Sequence, residues 1–481
     1  MFRAYINGQF VETGDTFPVF DPARGRPYEN AALCGSDEVD RAVTAARKAL
    51  HGPWSSLPVE QRVRLLRKAA DRIDERAAEF VAAEVRDTGK PIAFASSVDV
   101  PRGAANLRFF ADLVRVSGTQ SWVTDTPDGQ GAIQYALRQP VGVVAVVCPW
   151  NLPLLLLTWK LGPALALGNT VVVKPSEETP ATATLLAEVF HEVGFPLGVF
   201  NLLHGFGPDA AGEALVSHPD VNAVTFTGES RTGSAIMARC APHVRPVSFE
   251  LGGKNASVIF EDADMDVAVA GNLRSVFSNC GQVCLCSERV LVHRSRYDEF
   301  VTRLAEGARA LRMGDPMSMD TGMGSLISAN HLAKVDALVQ QGARDGEVIC
   351  GARRGQLGGE FDAGYFYEPT ILAGLPDSHP FVRDEVFGPV CHVTAFDDED
   401  EAVARANDSP YGLCAAVWTT RLDRAHRVSA QIHAGIVWVN SWFLRDLRTP
   451  FGGAGISGIG REGGQHSLDF YSELKTICIK L

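Results

Sequence analysis

Residues 141–174 read VGVVAVVCPWNLPLLLLTWKLGPALALGNTVVVK, and as far as Val173 they carry a single charge, Lys160. Pro149, Asn151, Pro153, Pro163 and Gly168 interrupt the run, so its longest unbroken apolar stretch stays far below the roughly 20 residues of a membrane span. The stretch reads as buried strand, loop, helix and strand. The same alternation continues downstream. VGVVAVV, NTVVVKP, FNLLHG and NAVTFTG have strand character; LPLLLLTWKLGPALAL, ATATLLAEVFHEVG and DAAGEALVSH have helical character. This predicts a doubly wound parallel sheet, whose crossovers put helices on both faces and whose ligands sit at the carboxyl ends of the strands.

Beyond Leu251 a second series begins, with strands such as ASVIF, RVLVH and GIVWVN and helices between them, and predicts a second α/β domain. Upstream, alternation around Asn7-Gly8 predicts a β-hairpin, because that dipeptide supplies the positive φ angles of a tight primed turn. Helical spacing covers Asp37–Leu50, Val59–Glu84 and Val98–Val116. The segments Gln134–Gln139 and FYSELKTICIKL at the end both alternate like strands and are expected to pair as an arm joining subunits. The acidic run Asp397–Glu401 is expected to open a solvated helix.

Composition narrows the class. The chain has 481 residues, 46% hydrophobic and 21% charged, the usage of a globular protein with ample core, which excludes wholesale disorder. Asp and Glu number 57 against 45 Lys and Arg, a net charge of −12 with no basic patch, so a nucleic-acid partner is not expected. The N-terminus MFRAYINGQFVETGD has neither a signal-peptide core nor a transit pattern, and no membrane partner is expected; a cytoplasmic protein is. Ten irregularly spaced cysteines read as mostly free thiols.

Three of them, Cys280, Cys284 and Cys286, crowd the loop FSNCGQVCLCSERV. With no neighbouring His and no second Cys pair at ligand spacing, a metal site is disfavoured. Cys284, at the tip of a polar, Gly-preceded loop, fits a nucleophile, while Cys280 and Cys286 fit small buried hydrophobes. In SFELGGKN, Glu250 ends an apolar strand and is a capping group, a surface acid or a general base. Asn151 in CPWNLP is a helix cap or a donor to a developing oxyanion. Lys174 and Glu177 in VVVKPSE offer a cation and a carboxylate to sugar hydroxyls, and the carboxylate would repel a 2′-phosphate, favouring NAD over NADP. In TFTGESRTG, Gly228 and Gly233 flank a strand-to-helix turn suited to a pyrophosphate. The formal Gly-x-Gly-x-x-Gly match at Gly458, Gly460 and Gly463 has no room for a βαβ unit after it and is a decoy.

Taken together and in order, CPWN, KPSE, FTGESRTG, FELGGK, FSNCGQVC and DEVFGPV resemble the NAD(P)-dependent aldehyde dehydrogenase superfamily over nearly the whole chain. The resemblance implies an α/β fold with a doubly wound NAD-binding domain (1–120 and 141–250), a second α/β catalytic domain (251–452) and a small β oligomerisation arm (121–140 and 453–481). It implies Cys284 as nucleophile, Glu250 as base and Asn151 in the oxyanion hole. Lys174 and Glu177 would bind the adenosine ribose, and Glu385 and Phe387 the nicotinamide side. Trp150, Gly207, Phe226, Gly228, Ser230, Gly233 and Leu251 would line the remaining cofactor path. The serine common after the first glycine of the turn is here Glu229, with Ser230 next. A homo-oligomer, dimer or tetramer, is also implied.

Two further segments, SVDVPRGAANLRFFADL and NSWFLRDLRTPFGG, resemble the branch that oxidises 2-hydroxymuconate and 2-aminomuconate semialdehydes. By that similarity Arg102 and Arg445 bind the substrate carboxylate, since a buried carboxylate needs a bidentate cationic partner. Arg448 is near enough in sequence to be the ligand instead. A cysteine hydrolase using His204 or His218 is a competing reading; it leaves Lys174, Glu177 and the strand–helix series unexplained.

Overall fold

In a computed structural model that describes residues 1–481, the stretch 141–174 forms strand Val143–Val147, helix Pro153–Ala166 and strand Thr170–Lys174, as its apolar pattern predicts. All residues of that helix except Leu156 are buried, Lys160 included, which is why its composition lacks a polar face. Five parallel strands build the centre of an eight-stranded sheet in the order Phe200–Leu202, Thr170–Lys174, Val143–Val147, Ala223–Thr227, Val247–Glu250. The chain starts in the middle and winds outward both ways, so the strand order reverses beside Val143–Val147. That reversal opens a crevice at the carboxyl edge. Val147 pairs with both Lys174 and Phe226, and Thr227 pairs with Glu250, which brings the loops after all four strands to one edge.

The second sheet has seven strands, with Ala256–Ile259 and Arg289–His293 at its centre and every pair parallel except Glu347–Cys350 with Thr370–Ala373. Strand Val247–Glu250 ends the first series and Ala256–Ile259 starts the second, so residues 251–255 carry the chain from the carboxyl edge of one sheet to the amino edge of the other. The site lies along that junction. A third sheet pairs Ser472–Lys480 with Ala132–Pro140, and that strand with Ser121–Thr124.

The hairpin forms at Asn7-Gly8, with φ of 50° and 81°. Asp398 caps helix Glu399–Asn407 as the acidic run predicts. The helical stretch expected over Val59–Glu84 is two helices, Val59–Glu75 and Ala77–Thr88, because Arg76 leaves helical geometry and ties Glu79, Glu188 and Glu192 together. Helix Val100–Val116 is preceded by a wider π-helical turn, Ala95–Asp99. The segment after 453 contributes strands to three different sheets. Ala454–Gly455 pairs with Tyr411–Gly412, and Gly458–Ile459, inside the decoy glycine pattern, closes the edge of the first sheet beside Glu250. Only the tail from Ser472 joins the third sheet. No helix is long and apolar enough to cross a membrane.

Candidate active site

Cys284 sits where the chain passes from helix Met265–Phe277 to strand Arg289–His293. The approach is tightly wound: Asn279 and Cys280 have left-handed backbone, with φ of 50° and 57°, and Gly281 follows at 70°. A Cβ on Gly281 would stand 1.8 Å from the Gly388 carbonyl oxygen, so only glycine fits. Asn255 donates its amide to the carbonyls of Cys284 (2.7 Å) and Cys286 (2.8 Å), and Trp442 Nε1 donates to that of Leu285 between them (2.9 Å). Three successive carbonyls are pinned, and the half-buried Cys284 is held on the wall of a cavity of about 530 Å³. Cys280 and Cys286 are buried. All ten cysteines are free, and no three His, Cys, Asp or Glu side chains are arranged to hold a metal.

Asn151 lines the same cavity. It does not cap helix Pro153–Ala166, whose N-cap is Leu152; its Nδ2 donates to the Gln282 carbonyl at 3.0 Å. A primary amide has a second N–H, so Asn151 retains a donor on the cavity it shares with Cys284. Below it, the Asn151 carbonyl accepts from Lys90 Nζ (2.9 Å) and Asn279 Nδ2 (3.2 Å), and the buried Lys90 is paired with Glu84 and Asp99.

Glu250 is neither a cap nor a surface acid. It is 3% exposed, and neither carboxylate oxygen has a hydrogen-bond partner. Burial, reinforced by Glu462, raises its proton affinity well above the carboxylate range, while Lys160, Arg445 and Arg461 pull the other way. Glu462 is itself bonded to Lys160 (2.6 Å), which also donates to Thr225 (3.0 Å). The Cys284 thiol is pushed up as well, by burial and then by Glu385 and Glu250. A carboxylate that binds protons this strongly is a better base for a nearby thiol or water than an exposed one.

The cavity that Cys284 lines is also lined by Trp150, Gly228, Leu251, His331, Glu385 and Phe387, among others. Glu385 accepts from Gly253 N at 2.9 Å, and a Cβ on Gly252 would lie 2.1 Å from its carboxylate, so a larger residue there would displace that carboxylate. Burial and Glu288 push Glu385 up to about 8. Phe387 is left-handed (φ 60°); Glu288 accepts from its N–H, and His331 Nε2 lies 2.7 Å from its carbonyl oxygen. Lys174 is buried, donates to the Gly205 carbonyl (2.7 Å) and lies 3.5 Å from the half-buried Glu177. Lys174 and Gly207 also line an apolar cleft of about 180 Å³ with Val147, Val216 and Ile236. Four expected cofactor residues line neither cavity, Glu177 and three more. Phe226 packs in the core against Phe249, Gly233 lies under Leu251, and the Ser230 hydroxyl donates to the Ile456 carbonyl at 2.9 Å. Glu229, which replaces the usual serine, faces the cavity instead, as the N-cap of helix Ser230–Cys240.

Arg102 and Arg445 line neither cavity, but Arg445 lies near enough to Arg102 and Cys284 for their charges to act on it. Arg445 is clamped between rings, its guanidinium carbon 4.7 Å from the Trp159 centroid and 3.9 Å from that of Phe451. Burial and the neighbouring Arg102 lower it to about 10, against Glu250, Glu462 and Cys284. Burial lowers Arg102 too, with only the exposed Asp446 opposing. Neither makes a salt bridge. Arg448, the alternative, is exposed and bound to Asp446 through both Nε and Nη2. His204 is buried, lowered to about 3 and bonded to Thr184, and His218 lies 3.3 Å from Asp40; neither histidine named for the hydrolase reading lines the cavity of Cys284. Asn255, His331, Lys160 and Glu462 were not singled out as site residues. Lys160 carried a signal, as the lone charge in an apolar run; Asn255, a polar residue heading a buried strand, carried a weaker one.

The sequence profile of the aldehyde dehydrogenase family matches residues 10–477. The chain is 55% identical to the 2-hydroxymuconic semialdehyde dehydrogenase of Pseudomonas sp. (strain CF600), covering 100% of this chain and 99% of the relative. It is 53% identical to a 2-aminomuconic 6-semialdehyde dehydrogenase from Pseudomonas sp, covering 100% and 98%. Among solved structures, an NAD+ complex of aldehyde dehydrogenase from Bacillus cereus superposes with a TM-score of 0.96 at 38% identity, over 100% of this chain and 96% of that one. A nucleophile-bearing loop and a buried carboxylate at the junction of two α/β sheets, with a match of this extent, make the chain a member of the aldehyde dehydrogenase family.

Proposed function

We propose that the protein oxidises a muconate-type semialdehyde, 2-hydroxy- or 2-amino-substituted, to the dicarboxylate, with NAD as the hydride acceptor. The observation that carries the reading is the pair Arg102 and Arg445, two partly desolvated guanidiniums that make no salt bridge, with Arg445 clamped between two rings near Cys284. Two like charges held together without a counterion repel each other unless a ligand supplies the anion, and a carboxylate is the bidentate match. The names of the two Pseudomonas relatives support the same substrate class.

The residues present fit NAD. A small apolar cleft beside Lys174 and Gly207 suits adenine, the half-buried Glu177, 3.5 Å from Lys174, keeps acceptor capacity for ribose hydroxyls, and Glu385 and Phe387 line the larger cavity with Cys284. When bound, NAD accepts the hydride. Glu250 takes the thiol proton, Cys284 attacks the aldehyde carbon, and Asn151 with the Cys284 N–H stabilises the oxyanion. After oxidation the acyl group is a thioester on Cys284, and Glu250 deprotonates the water that hydrolyses it. Arg102 and Arg445 hold the distal carboxylate throughout, keeping the carbonyl carbon over the thiol.

On this reading residues 1–120 and 141–250 bind NAD, 251–452 carry catalysis, and strands Ala132–Pro140 and Ser472–Lys480 join subunits. Trp122, Val123, Ile133, Leu137, Leu474 and Ile479 are exposed on that three-stranded sheet, an apolar surface suited to a second copy of the chain. Ten unpaired cysteines fit the reducing cytoplasm.

The test is NADH formation with 2-hydroxymuconate semialdehyde, 2-aminomuconate semialdehyde and a neutral aliphatic aldehyde. A kcat/KM that favours both carboxylated substrates is expected. A preference for the neutral aldehyde would remove Arg102 and Arg445 from the substrate site.

A further inference from the structure

Two indole N–H groups tie the loop bearing Arg445 to its surroundings at defined points. Trp438 lies in strand Ile436–Val439, at the edge of the second sheet, and is 8% exposed; its Nε1 donates to the Leu444 carbonyl at 2.8 Å. That peptide immediately precedes Arg445, so the bond sets where the Arg445 backbone stands relative to the sheet. Trp442, 5% exposed, donates instead to the carbonyl of Leu285, in the residue after Cys284, at 2.9 Å. Between the strand and Arg445 the chain passes through two left-handed residues, Asn440 (φ 51°) and Phe443 (φ 61°), a path that L-residues keep only when their neighbours hold them. Both indoles belong to the apolar cluster that includes Leu285, Cys286, Cys414 and Phe451, and Phe451 is also one of the rings that clamps the Arg445 guanidinium.

We propose that Trp438 and Trp442 act as a ruler, fixing the separation between the Arg445 guanidinium and the Cys284 thiol and so selecting the length of the carboxylated aldehyde that is oxidised. The inference rests on the reading that Arg445 receives the substrate carboxylate. A guanidinium–carboxylate pair is directional, and attack on the carbonyl needs the carbon near van der Waals contact with sulfur. A substrate of the wrong length satisfies one end only. A loop free to shift would tolerate several lengths; a loop bonded through the Leu444 and Leu285 carbonyls does not. Trp438 and Trp442 are positioning residues, because neither indole N–H is directed to substrate.

The experiment compares the wild type with Trp438→Phe and Trp442→Phe, each of which keeps an aromatic ring and removes the donor. The substrates are straight-chain ω-carboxy aldehydes of four, five and six carbons, 2-hydroxymuconate semialdehyde and hexanal. The wild type is expected to show a sharp optimum in chain length. Trp438→Phe is expected to reduce the preference for that length over the next shorter one by about tenfold, mainly through KM, while kcat/KM for hexanal stays within about twofold. Trp442→Phe should flatten the same profile and also slow hexanal, because it releases Leu285 beside the nucleophile. A uniform loss across all substrates in Trp438→Phe would mean that the indole only supports the fold, and would overturn the proposal. A length profile unchanged in both variants would overturn it equally. Should Trp438→Phe fail to fold, the Trp442→Phe profile decides alone. If the wild type does not prefer carboxylated aldehydes to hexanal, the substrate reading itself fails, and that is visible before any variant is made.

Discussion

The cavity beside Cys284 and the surroundings of Arg445 are built from different material. Around the cavity the backbone approaches closely: Glu385 is bonded to Gly253 N, Phe387 is held by Glu288 and His331, and Gly228 stands at a helix start. Around Arg445 the surroundings are side chains, namely the Trp159 and Phe451 rings, with Arg102 near by and no salt bridge. In the first region the backbone sets the shape. In the second the shape depends on which side chains the loops deliver. Changes to the shared centre should therefore affect every substrate, and changes to either flank should affect only one partner.

The largest effect is expected at the centre. Cys284→Ser should lower NADH formation by roughly 10⁴-fold or more for all aldehydes, since a hydroxyl in this buried site is a far weaker nucleophile than a thiolate, while NAD binding measured by fluorescence persists. Turnover retained with serine would end the thiolate mechanism. Next is Glu250. Its base form is populated only as pH rises through a proton affinity raised by burial and Glu462, so kcat should climb with pH above the ordinary carboxylate range. Glu250→Gln should remove that limb, slow hydrolysis by about 10²–10⁴-fold and let the thioester accumulate on Cys284, visible as an added mass on the intact protein. An unchanged pH profile would assign the limb to another group.

The flanks should separate. Arg445→Met is expected to raise KM for a muconate-type semialdehyde by about 10–100-fold and leave hexanal within about threefold, whereas Arg448→Ala, exposed and tied to Asp446, should change both by less than about twofold. Equal losses on the two substrates in Arg445→Met would erase the distinction between the two walls. The smallest effect lies on the cofactor flank, where Glu177→Gln should improve kcat/KM with NADP by about tenfold or less and leave aldehyde selectivity untouched. A change in aldehyde selectivity there would show that the walls communicate.

The residues at the ends of the apolar strands were legible in the sequence, because period and composition mark such positions: Lys174 after VVV, Glu250 after VSF, Asn151 after VGVVAVV. The places that misled were those where a residue's partner lies far along the chain. Ser230 was expected along the cofactor path, but its hydroxyl donates to the carbonyl of Ile456, 226 positions later. The helical stretch over Val59–Glu84 looked continuous because its period hardly changes at Arg76, whose break is secured by Glu188 and Glu192 on another helix.

What the amino-acid order determined alone was local: the strand–helix alternation, the hairpin at Asn7-Gly8, the helix cap at Asp398, and the loop that presents Cys284. These follow from backbone preference and burial period, which act over a few residues. The environments of Arg445 and Arg448 were beyond it, since both lie in one polar segment with the same chemistry. Only the folded chain separates them, by stacking one between Trp159 and Phe451 and giving the other to Asp446 at the surface. The charge state of Glu250 was decided in the same way, because its proton affinity is set by the water removed from around it and by Glu462 and Lys160, contributed from distant parts of the chain.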